Sequence, residues 1–437
     1  MDYVPATASE TAQMLKRLGL SSARELYADI PDELLLSAPP DIGAGLCEIE
    51  LTRKMRGIAS KNKVYDDVFT GAGAYRHFIP AAVDALSGRE EFVTAYTPYQ
   101  AEMSQGILQS IFEFQTMICE LAGLDAANAS VYDGATAAAE ACLMTRERNR
   151  GKVLICGSVS PQILWAIRTY LIPAGMEMET VRTTGGAADM DDLSAKLDER
   201  TAAVLAASPN YFGVIEDIEA IARMTHDVGA KLIVSVNPIA CGLLKSPGSL
   251  GADIAVGEGQ PLGIPLAFGG PYLGFMACTE KLLRKLPGRI VGQTTDAKGR
   301  RAFVLTLQAR EQHIRREKAG SNICSNQAWC ALRSAVYMSL MGPQGLKDTA
   351  QQCYANAHYL CDSLDKIGFK RMHGKEFFHE FVTGCPGNYI QLQSRLDRES
   401  ILGGLPLGDG TVLWCATELT GKAQTDRLVR VIKEVSA

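Results

Sequence analysis

Short apolar runs recur between residues 152 and 278, and this recurrence constrains the fold more than any other feature. The runs are KVLIC, GMEMETV, AAVLAAS, KLIVSV, ADIAV and LGFMAC, and most are separated by helix-like stretches or polar loops. Such alternation is typical of strands joined by crossover helices. The sequence therefore predicts an α/β fold around a mainly parallel central sheet.

Length and composition indicate an ordinary globular protein with a large core. The chain has 437 residues, of which 47% are hydrophobic and 21% charged. Its formal net charge of -5 provides no long-range attraction for nucleic acid or anionic lipid. The sequence has no signal-peptide pattern and no stretch of roughly 20 unbroken apolar residues, so we expect no membrane segment and a cytoplasmic location.

The cysteines are typical of buried thiols in a reducing compartment. Five of the 12 lie inside apolar runs: Cys119, Cys142, Cys156, Cys278 and Cys330. No CxxC or HExxH motif occurs, and the spacing from Cys324 to Cys330 has no matching ligand pair. Spacing along the chain therefore predicts no metal site.

The chain is predicted to have three parts. Residues 1–66 are typical of a helical N-terminal arm, whose first helix starts at a capping box formed by Thr7 and Glu10. Residues 67–342 form a large domain that holds the central sheet. Residues 343–437 form a smaller α+β C-terminal domain.

One predicted helix start has the features of an anion site. In YDGATAAAEA, residues 132–141, Asp133 can cap a helix whose first turn includes Gly134 and Thr136. Free N–H groups in such a turn can bind a phosphate, although the simpler interpretation is a capped, alanine-rich helix without a ligand. The glycine-rich segment GAGAYRHFIP, residues 71–80, predicts only a turn and no dinucleotide site.

Three long segments resemble the P-protein of the glycine cleavage system, the glycine decarboxylase family. They are residues 95–141, 251–277 and 286–326. The last two are similar in particular to the separate first subunit of the family, which corresponds to the N-terminal half of the longer single-chain enzyme. The resemblance covers nearly the whole chain, and the C-terminal hundred residues are the least distinctive.

This resemblance implies a type I pyridoxal-phosphate fold, as in aminotransferases, and a shared enzyme. In the family, a second subunit carries pyridoxal phosphate, and two first and two second subunits assemble. The enzyme decarboxylates glycine and passes the aminomethyl group to the lipoyl arm of the H-protein, in a system completed by the T-protein and the L-protein. We therefore expect these partners, and no cofactor bound covalently by this chain.

The residue at the position of the cofactor lysine is Gln260. Cofactor-bearing members of the family read roughly His-Lys before a glycine-rich turn, whereas Gly259 and Gln260 precede PLGIPLAFGGP here. A glutamine amide cannot form the imine by which a lysine holds pyridoxal phosphate, because its nitrogen lone pair is delocalised into the carbonyl. We expect only a vestigial pocket, formed by Gly134, Thr136 and Gln260.

A second deficit lies at the end of the run KLIVSV. The family fold normally presents an aspartate to the pyridinium nitrogen there, whereas this chain has Ser235, Val236 and Asn237, none of which carries a negative charge. Lys231 and Lys245 are poor replacements for the missing lysine. Lys231 begins its strand, whereas ligands gather beyond the carboxyl ends, and Lys245 has no aromatic or acidic neighbour in sequence.

Two groups of polar residues are candidates for a contribution to the partner's active site. They are Tyr96, Tyr99, Gln100 and Gln105, in a TPYQ-x-E-x-SQG signature, and Arg310, Ser321 and Asn322. Their hydroxyl, amide and guanidinium groups can orient a polar ligand. The alternative for the first group is that it caps the helix from residue 104 and packs on the sheet. We interpret Arg315, Arg316 and Lys318 as a solvated helical face.

The leading hypothesis is that this chain is the cofactor-free subunit of a two-part glycine decarboxylase. It would complete the catalytic pocket and shape the passage for the lipoyl arm, with no catalytic residue that acts in this chain alone. The competing hypothesis is a catalytically inert pseudoenzyme that serves as a binding or regulatory scaffold. Only the first hypothesis requires this chain for turnover.

Overall fold

All six apolar runs form strands of one seven-stranded sheet, so the prediction of an α/β fold around a mainly parallel sheet is confirmed. The structure, a computed structural model, describes residues 6–38, 40–95 and 97–436. Two units follow each other along the chain, residues 1–64 and residues 65–437. None of the described helices combines the length and apolarity that a bilayer crossing requires.

The strands belong to the second unit. In chain order they are β1 Asp67–Val68, β2 Ala126–Ala127, β3 Lys152–Cys156, β4 Glu177–Val181, β5 Thr183–Thr184, β6 Ala187–Ala188, β7 Thr201–Ala207, β8 Lys231–Ser235, β9 Ile254–Glu258, β10 Gly274–Cys278, β11 Val291–Thr295, β12 Arg301–Leu305, β13 Glu380–Gly384, β14 Ile401–Leu402, β15 Leu405–Pro406 and β16 Thr411–Cys415.

The central sheet has the strand order β2-β10-β9-β8-β7-β3-β4. Strands β9, β8, β7, β3 and β4 are parallel to one another, whereas β10 is antiparallel to both of its neighbours. The carboxyl ends of the parallel strands therefore meet at one edge, where open α/β sheets bind their ligands.

Helices cover this sheet, and two further helices lie in the first unit. They are α1 Ala8–Leu18, α2 Glu48–Ala59, α3 Ala81–Ser87, α4 Glu90–Val93, α5 Gln105–Ala122, α6 Gly134–Met144, α7 Pro161–Leu171, α8 Met190–Lys196, α9 Ile218–Asp227, α10 Gln312–Arg315, α11 Ala328–Asp365, α12 Tyr389–Arg398 and α13 Lys422–Ser436. Helix α11 is interrupted at Gly342, where φ is 62° and Pro343 follows.

The start of α1 confirms the predicted capping box, and α5 ends at a left-handed glycine. The Thr7 hydroxyl accepts a hydrogen bond from the Glu10 N–H at 3.3 Å, and the Glu10 carboxylate accepts one from the Thr7 N–H at 2.7 Å, so the capping box is present. Helix α5 ends at Gly123, whose φ of 65° is left-handed. The apolar stripe of α5, which includes Ile111 and Phe114, is fully buried against the core.

Two main hydrophobic clusters form the core of the second unit. The larger cluster lies between the central sheet and its helices, and alanines of α6 pack tightly in it. The smaller cluster surrounds a three-stranded sheet of order β13-β16-β15 and includes Phe381, Leu396 and Trp414. Strand β1 pairs with β14, which brings the start of the second unit beside its C-terminal region. The limits predicted for the three parts remain a prediction.

Candidate functional site

The carboxyl ends of β8 and β9 and the N-terminus of α6 converge around Gln260. We call this site the remnant pocket and define it by Tyr75, Gly134, Asn237, Glu258 and Gln260. Its position follows from the topology, because parallel strands place the residues after their carboxyl ends at the same sheet edge.

The side-chain amide of Gln260 forms three hydrogen bonds with the backbone around the pocket. Its oxygen accepts a hydrogen bond from the Tyr75 N–H at 3.0 Å. Its nitrogen donates to the carbonyl oxygens of Tyr75 at 2.9 Å and Ile264 at 2.7 Å. Gln260 is only 2% exposed, so these three bonds satisfy a buried amide. Gln260 therefore ties the segment that contains Tyr75 to the loop after β9.

The N-terminus of α6 holds carboxylates of this chain. The Glu258 carboxylate accepts hydrogen bonds from the N–H groups of Gly134, Gln260 and Leu273, each at 2.9 Å. The Asp133 carboxylate accepts from the Thr136 N–H at 2.7 Å. These two anions take the place that a phosphate has at a helix N-terminus, so the structure favours the capped-helix interpretation over an open anion site.

Close packing supports this arrangement. A Cβ atom added at Gly134 would lie 2.8 Å from the Glu258 nitrogen, so only glycine fits between α6 and the end of β9. Burial raises the pKa of Glu258, while its three backbone hydrogen bonds lower it. The carboxyl group is thus a structural part of the pocket wall.

Aromatic and imidazole rings fill the space beside Asn237. The Asn237 amide nitrogen lies 3.3 Å from Nε2 of His379, and the His379 ring is tilted against the Tyr75 ring at a centroid distance of 4.6 Å. The Tyr75 hydroxyl donates to Glu380 at 2.7 Å. Burial lowers the pKa of His379 to about 3 and raises the pKa of Glu380 to about 7. His379 is therefore neutral at physiological pH.

These residues do not fit pyridoxal phosphate, the cofactor that the fold implies. The amide of Gln260, where the resemblance predicts the lysine, is hydrogen-bonded, carboxylates occupy the helix N-terminus, and Asn237 carries no negative charge to meet a pyridinium nitrogen. Lys231 begins β8 and lies 3.9 Å from Asp253, while Lys245 pairs with Glu219 at 3.1 Å and is 73% exposed in its side chain. Neither of these lysines replaces the missing amine.

Tyr99, from the first predicted group, contacts the segment that follows Ser321 and Asn322 of the second group. The Tyr99 hydroxyl lies 3.0 Å from the Ser325 hydroxyl and donates to the Asn326 side chain at 2.5 Å. The Arg289 guanidinium lies over the Tyr99 ring, 4.8 Å from its centroid. We call this region the signature face and define it by Tyr99, Gln100, Arg289, Arg310, Glu311 and residues 321–326.

The signature face carries two guanidinium groups and one buried carboxylate. Arg289 pairs with Glu311 and also donates to the Cys324 carbonyl at 3.0 Å. Arg310 donates to the Gly288 carbonyl at 2.7 Å, and burial lowers the pKa of Arg310. The Nε atoms of both arginines and one oxygen of Glu311 are buried without a hydrogen-bond partner within the described part of the chain. This excess of donors suits a planar anionic group such as a carboxylate.

The remaining candidate residues differ in their hydrogen-bond partners and in their exposure. Gln105 clamps β12 to α5, because its amide bonds to both the N–H and the carbonyl of Phe303 at 2.8 Å. Ser321 donates to Glu140 at 3.0 Å. Gln100 and Asn322 are exposed. Tyr96 lies outside the described residues. Exposed side chains are also found at Arg315, Arg316 and Lys318.

Sequence reasoning missed Tyr75 and Glu258 of the remnant pocket, and His379 beside it. Of these residues, Glu258 was the easiest to predict from the sequence, because a carboxylate at the end of an otherwise apolar strand needs hydrogen-bond partners. Tyr75 lies in the segment that predicted only a turn. Nothing in the spacing pointed to His379, which lies more than a hundred residues from Asn237 along the chain.

The fold defines a class of protein, the type I pyridoxal-phosphate fold, and this expectation is confirmed. At the level of fold alone, the structure matches the glutamate decarboxylase of Lactobacillus brevis with a TM-score of 0.69 at 12% identity, over 93% of this chain and 96% of the other. The sequence profile of the glycine cleavage system P-protein matches residues 1–432. The chain belongs to the glycine cleavage system P-protein family.

Individual relatives match over the full length of the chain. The probable glycine dehydrogenase (decarboxylating) subunit 1 of Desulfitobacterium hafniense is 49% identical over 100% of both chains, and that of Staphylococcus carnosus is 45% identical over 99% of both. A crystal structure of glycine decarboxylase (P-protein) of the glycine cleavage system, in inhibitor-bound form, matches with a TM-score of 0.93 at 42% identity over 100% of both chains. The chain is thus of the subunit 1 type, as the sequence predicted.

Proposed function

We propose that this chain is the subunit of a two-part glycine decarboxylase that holds no pyridoxal phosphate, and that a second subunit carries the cofactor. One observation supports the proposal: the Gln260 amide offers no amine for an imine and is fully hydrogen-bonded, and the Glu258 carboxylate already accepts from the Gly134 N–H that a phosphate would need. This chain therefore depends on a partner for the electronic step, in which the cofactor stabilises the charge left when carbon dioxide departs.

The contribution of this chain is to complete the partner's pocket from the signature face. The Tyr99 hydroxyl and the Gln105 amide are engaged inside the subunit, so they position the face. The exposed amides of Gln100 and Asn322 are available to a ligand held by the partner. The guanidinium groups of Arg289 and Arg310, also in the signature face, favour the approach of an anionic group, such as a substrate carboxylate or an acidic protein that carries a lipoyl arm.

The first unit supports the need for a partner. Neither α1 nor α2 contains a buried residue. Large apolar side chains of the arm are exposed instead, among them Met14 at 52%, Leu18 at 63% and Ile49 at 64%. Apolar surface of this kind marks a protein interface. We expect an obligate contact with the second subunit, of roughly 2,000 to 5,000 Å² in total.

The first test concerns cofactor binding and turnover. After incubation of the isolated chain with pyridoxal phosphate and reduction with borohydride, we expect no lysine of this chain to be trapped by peptide mass spectrometry. The second subunit, treated alike, is the positive control. In a reconstituted system with H-protein, exchange of the glycine carboxyl group is expected to require both subunits. A trapped lysine in this chain would contradict the proposal, and full exchange without this chain would support the inert scaffold.

The second test concerns the signature face. We expect Gln100→Ala and Asn322→Ala each to lower the exchange rate of the assembled enzyme about tenfold, which corresponds to about 1.4 kcal/mol of transition-state stabilisation. Gln391→Ala is the matched control, since Gln391 is an exposed amide on α12. Assembly is checked by size-exclusion chromatography. Unchanged rates in both variants would remove these amides from the partner's site.

A further inference from the structure

Three potential metal ligands meet in the interior of the second unit, outside the remnant pocket and the signature face. Nδ1 of His77 lies 2.8 Å from a carboxylate oxygen of Glu418, and Sγ of Cys353 lies 3.3 Å from the same oxygen. One ligand atom from each of the three side chains lies within 4.8 Å of the others. They come from the segment after β1, from α11 and from the segment after β16, so only the fold brings them together.

This cluster is buried, and a backbone hydrogen bond holds its carboxylate in place. The side chains of His77 and Glu418 are 2% and 14% exposed, and Cys353 is fully buried. The second oxygen of Glu418 accepts a hydrogen bond from the Phe78 N–H at 2.6 Å, which fixes the carboxylate. A ligand whose orientation is held by a further hydrogen bond is typical of metal centres.

One ring nitrogen of His77 is buried without a partner. With Nδ1 bonded to Glu418, the Nε2 atom has no hydrogen-bond partner among the described residues. An orphaned buried nitrogen costs free energy unless another group satisfies it. A cation that replaces the hydrogen bond between His77 and Glu418 is bound through Nδ1, which leaves the ring proton on Nε2.

We propose that His77, Cys353 and Glu418 form a binding site for a zinc-class divalent cation. An imidazole, a thiolate and a carboxylate are the three ligand types that zinc prefers, and the thiolate argues against calcium and magnesium. The two negative ligands balance the charge of the ion. Ligand atoms in a tetrahedral zinc site lie about 3.3 to 3.5 Å apart, so binding requires a shift of about 0.5 Å between His77 and Glu418.

Such an ion would cross-link three segments that are remote in sequence. This explains why the spacing of cysteines and histidines along the chain predicted no metal site. An ion there would tie α11 to the segment that contains Tyr75 and so stabilise the neighbouring wall of the remnant pocket.

The test uses the full-length chain, freed of any affinity tag, incubated with zinc and then dialysed. We expect stoichiometric zinc by elemental analysis, and at least about a tenfold lower zinc content in Cys353→Ala. Cys361→Ala is the matched control, because Cys361 is a buried cysteine of the same helix outside the cluster. Its zinc content is expected to equal that of the wild type.

A spectroscopic measurement keeps the proposal testable if Cys353→Ala does not fold. Cobalt substitution of the wild-type chain is expected to produce a near-ultraviolet thiolate-to-cobalt absorption band, which zinc then displaces. Less than about a tenth of an equivalent of zinc in the wild type, or no cobalt band, would show a hydrogen-bonded triad without an ion and would overturn the proposal. Equal zinc in the wild type and a folded Cys353→Ala variant would overturn it as well.

Discussion

Replacement of Glu258 by alanine is expected to lower the free energy of unfolding by about 3 to 5 kcal/mol. The carboxylate accepts three backbone hydrogen bonds, from Gly134, Gln260 and Leu273. Its removal leaves three N–H groups without acceptors in a buried wall, and each such group costs about 1 to 3 kcal/mol. The midpoint of urea unfolding, followed by circular dichroism on the isolated chain, measures the change.

Two variants sharpen this measurement. Glu219→Ala is the control, because Glu219 is half-exposed and makes only an exposed ion pair with Lys245, so we expect a change within about 0.5 kcal/mol. Glu258→Gln keeps one oxygen acceptor and is expected to fall between the wild type and the alanine variant. A loss below about 1 kcal/mol in Glu258→Ala would contradict the view that this side chain has replaced a phosphate as the partner of the helix.

The second large effect concerns pH and Glu140. Burial raises the pKa of Glu140 from 4.5 to about 7, although the hydrogen bond from Ser321 lowers it. The folded state therefore binds this proton more tightly than the unfolded state. The contribution of Glu140 to stability is complete below pH 4.5 and is lost as the pH rises to about 7. The total loss is about 3 kcal/mol.

Glu140→Gln is expected to abolish this loss, because the amide stays neutral at every pH and its oxygen still accepts from Ser321. The variant should match the wild type near pH 4.5 and be more stable by up to about 3 kcal/mol at pH 8. Urea midpoints at both pH values measure the difference. Glu147→Gln, at a half-exposed glutamate, should keep the wild-type pH dependence. If Glu140→Gln also keeps it, the carboxyl group does not titrate as proposed.

The hydrogen bond between Ser321 and Glu140 also connects the signature face with the remnant pocket. Glu140 lies on α6, whose N-terminus forms part of the remnant pocket, and Ser321 begins the last segment of the signature face. Deprotonation of Glu140 places an anion in the core at the contact between them. The stability of the signature face is therefore expected to decrease as the pH rises from 4.5 to about 7.

Local features of the sequence predicted much of the fold. The capping box at Thr7 and the cap at Asp133 are both present, because these signals act through hydrogen bonds between residues a few positions apart. Five of the six apolar runs form strands that are buried on both faces of the sheet, as their hydrophobicity requires, whereas the edge strand β4 is mostly accessible. The resemblance of long segments to one family predicted the overall fold correctly.

The contacts of the candidate sites required the tertiary structure. The bonds of Gln260 to Tyr75 span 185 positions, and those of Tyr99 to Ser325 and Asn326 span 226 and 227. Spacing along the chain carries no information about such pairs. Spacing therefore did not show that Gln105 holds β12 against α5 while Gln100 is exposed, although both residues belong to one signature.

The sequence by itself determined that position 260 has no amine, since the chemistry of an amide is a covalent property that no fold can change. Only the tertiary structure decided what occupies the pocket. A buried amide, carboxylate or helix N-terminus must find hydrogen-bond partners, and the folded chain supplies them from whichever segments it brings into contact. Here those segments carry Tyr75 and Glu258, and they form the wall around Gln260 and the N-terminus of α6.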